Sequence, residues 1–130
     1  MNQHQIRSLK GEHAFGRVFR ASKKIREPLL HLYVQFASTH DSLPPCSLLG
    51  IVVRKKVVRR AVDRARIKRW LRNAARRCAA ENGTLLEPVG AMVVVWQAGY
   101  SVHDPDIRFH QVYESLVHGL KRAQRTGARG

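Results

Sequence analysis

Acidic residues are scarce in this 130-residue sequence: nine Asp and Glu stand against 24 Lys and Arg, for a formal net charge of +15. So few and so scattered carboxylates exclude a metal-dependent nuclease site built from clustered acids. Cysteine is nearly absent, and Cys46 and Cys78 alone form neither a disulfide framework nor a zinc site, which fits a reducing compartment. No apolar run approaches the ~18 residues of a membrane span. The opening Met1-Asn2-Gln3-His4-Gln5 lacks an apolar signal region, so a cytoplasmic protein is expected. The sequence contains no GxGxxG, phosphate-loop, GxSxG or HExxH pattern, which removes the common nucleotide-binding and hydrolase signatures. The seven histidines show no HxH or HxxxH ligand spacing, and His103, Asp104 and His110 are too local to read as a catalytic dyad. What is abundant is arginine, whose planar fork suits phosphate better than an ammonium group does. A chain so basic repels itself unless a polyanion neutralises it; nucleic acid is the leading partner and an anionic membrane surface the second.

The length predicts one domain, residues 1–130, with loose ends at about 1–7 and 125–130. Ala14, Phe15, Val18 and Phe19 follow helical spacing. Leu30, Leu32, Val34 and Phe36 alternate with His31, Tyr33 and Gln35, which predicts a strand with one buried face. Ser47–Val53 and Val89–Trp96 read as buried strands, with an extra short strand open. Asn82-Gly83 is a helix stop. Asp104 with Pro105 is a helix start, and the last helix runs to about Gln124. Alternating elements in one small chain point to a single sheet covered by helices.

Half of the cations lie within residues 54–77, where Asp63 is the one acid. A solvated helix face interleaves acids with bases at i, i+4; here like charges repel throughout, so the block is read as a phosphate-binding surface. Ile67, Leu71, Ala74 and Cys78 share one helical face, expected to pack on the sheet. Arg66, Arg69, Arg72, Arg76 and Arg77 fall opposite. Continuing the apolar stripe backwards reaches Arg64 and Arg60, so the first turn is expected to project beyond the sheet edge. Trp70 reads as core edge, Trp96 as packing, and both thiols as inert.

Leu49-Gly50-Ile51-Val52-Val53-Arg54-Lys55-Lys56, followed by Ala61-Val62-Asp63-Arg64-Ala65-Arg66-Ile67-Lys68-Arg69-Trp70-Leu71-Arg72, resembles the signature of the bacterial ribonuclease P protein subunit. The family pattern reads L-G-hydrophobic-x-V-S-K-K, four residues, then A-V-x-R-N-R-x-K-R-x-x-R. Upstream, Leu9-Lys10, Phe15 and Val18-Phe19 match its start, and the likeness extends from about Ser8 to Gln124. This chain departs from the pattern at Ala65 for Asn, Arg54 for Ser and Val58 for a common Gly, without loss of positive charge.

The resemblance implies an α/β (α+β) two-layer sandwich: a four-stranded mixed central sheet with about three helices, ribosomal S5 domain 2-like, with a left-handed βαβ crossover. It implies a protein that binds the catalytic RNA subunit of ribonuclease P and the 5′ leader of precursor tRNA, and so assists endonucleolytic removal of the leader. Catalysis and Mg2+ then belong to the RNA, and no catalytic residue, metal ligand or cofactor is expected in this chain. The RNA-binding set is Arg54, Lys55, Lys56, Arg60, Arg64, Arg66, Lys68, Arg69 and Arg72. The leader cleft is Phe15, Phe19 and Tyr33, although spacing alone also reads Phe15 and Phe19 as core. The rival reading is a ribosomal or other structural RNA-binding protein of the same topology, which needs the basic helix but no leader cleft.

Overall fold

The computed structural model describes residues 5–36, 46–99 and 107–127. In chain order the elements are β1 (Gln5–Ser8), α1 (Glu12–Ala21), β2 (Lys23–Arg26), β3 (Leu30–Phe36), β4 (Cys46–Val52), α2 (Ala61–Glu81), the single turn α3 (Gly83–Leu86), β5 (Val89–Trp96) and α4 (Phe109–Gly127). The strands form one mixed sheet in the order β1-β4-β5-β3-β2. The pairs β1–β4 and β4–β5 are parallel, and β5–β3 and β3–β2 antiparallel.

The sheet has five strands, not the four expected. The two edge strands escaped the sequence reading because each is four residues long and buries at most one of them. Gln-Ile-Arg-Ser and Lys-Lys-Ile-Arg each offer one apolar residue, too few for a period of two to register. Residues 5–7, expected among the loose ends, therefore pair in register with 46–48 of β4, and Leu9 N–H donates to Leu49 C=O at 2.8 Å. At the other end α4 continues through residues 125–127. Asp104 and Pro105 lie outside the described residues, and α4 opens at Phe109, where Arg108 N–H donates to Gln111 Oε1 at 2.7 Å.

Two layers are likewise too few, because helices cover both faces of the sheet. In β5 every residue from Ala91 to Trp96 is buried, the pattern of a central strand enclosed on both sides. Met92, Val94 and Trp96 join Leu30, Leu32 and Val34 under α2 and α4. Ala91, Val93 and Val95 pack instead with Leu9 and Val18 beneath α1. The predicted stripe Ile67, Leu71, Ala74 and Cys78 is fully buried, and the small Ala75 and Ala79 beside it let α4 lie close. Among the described residues no helix is long and apolar enough to cross a membrane.

Candidate nucleic-acid interface

Gly11 carries the chain from β1 into α1 at φ +93°, in the left-handed region that favours glycine. That turn lays α1 across the sheet with Val18 buried and Phe19 39% exposed. Phe15 rests on β4 at Gly50. A Cβ on Gly50 would fall 2.6 Å from Phe15 Cε1 and 2.7 Å from Cζ, so the ring occupies space that only glycine leaves open. The Leu-Gly of the sequence pattern thus has a local cause. Phe19 continues the row and meets Tyr33 edge to face, with ring centroids 4.7 Å apart. Lys24, paired with Tyr33 across β2 and β3, holds its Nζ 5.5 Å from the ring centroid.

β1 pairs with β4 only as far as Leu49, and beyond it the outer edge of β4 borders a groove. Its larger part, about 660 Å³, is lined by Glu12, Phe15 and Phe19 of α1, by Val52, and by Lys68 of α2. An adjoining hollow of about 190 Å³ continues past Phe15, Leu49 and Ile6 to Lys68, Arg72 and Arg76. The groove therefore has an aromatic wall from one helix and a cationic ridge from the other. Lys68, Arg72 and Arg76 recur at i, i+4 and i+8, which places them on one line of α2. Arg76 was outside the sequence-derived set; its four-residue step from Arg72 was the signal that could have included it.

The remaining predicted cations divide into separate surfaces. Arg69 is exposed on the outer side of α2 with Arg66 half-buried beside it, and Val62, 63% exposed, lies among them. Asp63 is buried, at 2% exposure, so the outward surface of α2 is free of acid until Glu81. Lys55, Lys56 and Arg60 are exposed in the segment before the helix. Val57 and Val58 both turn back there by donating N–H to Arg54 C=O at 3.0 Å. Arg64 does not simply project into solvent: its guanidinium donates to Val58 C=O at 3.0 Å and Arg59 C=O at 2.8 Å, holding that segment against the helix start. Arg54 stands apart from α2 and donates to Gln97 Oε1 at 3.3 Å, beyond the end of β5. Arg77 is engaged at the far end of α2, pairing with Glu81 and covering the ring of Tyr113.

Other candidates find structural roles. Trp96 is wholly buried and its indole N–H donates to Ala98 C=O, while Trp70 packs at the core edge. Cys78 is buried, and its thiol is pushed up to about 11 by burial and then by Glu81. Among the described residues no group of three or more His, Cys, Asp or Glu is arranged to hold a metal ion.

A family model described as Ribonuclease P matches residues 4–124. The chain belongs to the ribonuclease P protein family. Its fold resembles the RNase P protein from Thermotoga maritima, with a TM-score of 0.64 and 27% identity over 83% of this chain and 89% of that one. It also resembles a Staphylococcus aureus RNase P protein mutant with defective mRNA degradation activity, with a TM-score of 0.67 and 23% identity over 90% and 87% of the two chains. A second S. aureus RNase P protein structure matches at a TM-score of 0.61 and 21% identity, over 89% and 94%. Ribonuclease P is a ribonucleoprotein of tRNA processing, and this chain is its protein subunit. The reading as a ribosomal or other structural RNA-binding protein is not favoured.

Proposed function

We propose that this ribonuclease P protein binds the catalytic RNA through the outer surface of α2 and the Lys55–Arg60 segment, and holds the 5′ leader of precursor tRNA in the groove between α1 and α2. The observation that carries the reading is the groove itself, with Phe15 and Phe19 on one wall and Lys68, Arg72 and Arg76 on the other. Base stacking on an aromatic ring tolerates any sequence, and cations along the opposite wall neutralise the phosphates between the bases. The reaction itself falls to the RNA and its Mg2+; the protein supplies position and charge and binds no cofactor of its own. The cytoplasm is where such an enzyme would meet its substrate. We further infer from the family resemblance that the sheet is ribosomal S5 domain 2-like and that the parallel β4–α2–β5 crossover is left-handed.

Phe19→Ala tests the groove, because this ring is exposed enough for truncation to spare the core. In the reconstituted holoenzyme it should weaken precursor tRNA by on the order of 1 kcal/mol, the low end for one base–aromatic stack. Mature tRNA, having no leader, should bind unchanged. An equal loss for both tRNAs would remove the leader from the groove.

A further inference from the structure

The face of the sheet under α1 continues past the aromatic pair to a row of four residues in register: Val52 of β4, Val95 of β5, His31 of β3 and Arg26 of β2. Three cations gather on the imidazole there. Arg26 is paired directly across from it, and Lys24 lies two residues back on the same strand, beside Tyr33. Arg54 arrives from the end of β4, tethered to Gln97. β5 contributes the uncharged Val95 to this neighbourhood, the residue after it the uncharged Gln97, and α1 the Phe19 ring against Tyr33. No carboxylate enters among the charges acting on His31; its pKa is lowered from 6.5 by burial first, then by Lys24, Arg26 and Arg54. Cations converging on a neutral imidazole, beside rings fit for stacking, have the composition of a phosphate site rather than of a packed core.

We propose that Arg26, His31 and Arg54 form a phosphodiester subsite on the open sheet face, and that His31 takes up a proton when a single RNA strand occupies it. The proposal rests on the reading of the neighbouring groove as the track of the leader strand. An arriving phosphate reverses the local field and favours the charged imidazole, so proton uptake and strand binding reinforce each other. Affinity for the strand then rises as the pH falls from the pKa of the strand-bound imidazole towards the lowered pKa of the free one.

The test uses the full chain and a short single-stranded RNA at constant ionic strength. The His31 ring resonance is titrated by NMR with and without RNA, and dissociation constants are measured at about pH 5.5 and about pH 7.5 for the wild type, His31→Gln, Tyr33→Ala and Lys68→Ala. RNA should raise the His31 pKa by roughly one unit, equivalent to a tenfold gain in affinity on full protonation. His31→Gln should lose that part of the pH dependence and remain folded by circular dichroism. Tyr33→Ala should bind more weakly at both pH values while keeping the wild-type ratio. A His31 pKa that RNA leaves unmoved, or an unchanged pH ratio in His31→Gln, would overturn the proposal. A His31 shift produced equally by inorganic phosphate alone would also overturn it, assigning the site to the free ion. Unaltered affinity in both Tyr33→Ala and Lys68→Ala would instead remove the groove reading, whatever His31 does.

Discussion

Gly50 and Arg64 show how single residues of the basic signature serve shape before charge. Because a side chain on Gly50 would overlap the Phe15 ring, Gly50→Ala should drive that ring into the groove. The expected stability cost is about 1–3 kcal/mol for overpacking, with weaker binding of precursor tRNA. Combining Gly50→Ala with Phe15→Ala should cost less than the two single changes added together, since the clash disappears with the ring; strict additivity in denaturant titrations would contradict the contact. Arg64→Ala strips two backbone carbonyls of a charged donor, so it should cost about 1–2 kcal/mol of stability as well as affinity. A variant that loses affinity at unchanged stability would make Arg64 a pure RNA ligand. The sequence could place Arg64 only by projecting the apolar stripe of α2 backwards. That projection rightly kept it out of the core, but it could not show that the guanidinium folds back onto the preceding loop.

The elements themselves were legible in proportion to their length and apolar pattern. β3 and the buried stripe of α2 followed from periodicity because each repeats its signal several times, and β5 followed from an unbroken apolar run. β1 and β2 did not, since their place in the sheet comes from partners about forty residues away for β1 and about five to eleven residues away for β2, and not from their own composition. The basic helix was visible as a helix, yet its division into a groove-facing ridge and an outer face depends on where α1 lies, which no local pattern encodes. That division makes a prediction. Replacing Lys68, Arg72 and Arg76 with Ala should flatten the salt dependence of single-strand binding by up to about 0.7 in log–log slope per lost phosphate. Replacing Arg66 and Arg69 should act instead on binding of the catalytic RNA. Identical effects of the two sets on both RNAs would erase the distinction. At the far end of α2, Tyr113 O–H donates to Glu81 Oε2 at 3.0 Å and Asn82 donates to the Tyr113 hydroxyl at 3.1 Å, joining α2 to α4. The Tyr113 hydrogen bond, and then that from Arg77, lower the Glu81 pKa. The resulting stabilisation is complete above the ordinary value of 4.5 and fades as the pH falls through the lowered one. Tyr113→Phe should reduce this acid-side loss, which melting temperatures across that range would reveal.

At the scale of the whole molecule, a surplus of fifteen positive charges on 130 residues makes the protein a partner for polyanion and an unpromising catalyst alone. Reconstituted with its RNA, it should lower the Mg2+ concentration needed for precursor cleavage by replacing part of the cation atmosphere between RNA strands. By itself it should cleave nothing. Cleavage that survives removal of all RNA would refute this division of labour.

The arrangement of β1, α1 and β2 also bears on how the chain folds. These three consecutive elements reach from one edge of the sheet to the other, with α1 lying over strands that come later in the sequence. During synthesis the N-terminal segment emerges first. β2 can pair with the adjacent β3, but β1 and the Phe15 side of α1 have nothing to dock against until β4 and β5 have formed, and β1 closes a loop of about forty residues when it pairs. The segment that carries the aromatic wall is therefore a late-assembling strap. Mutations within it should speed unfolding while leaving the folding rate almost unchanged.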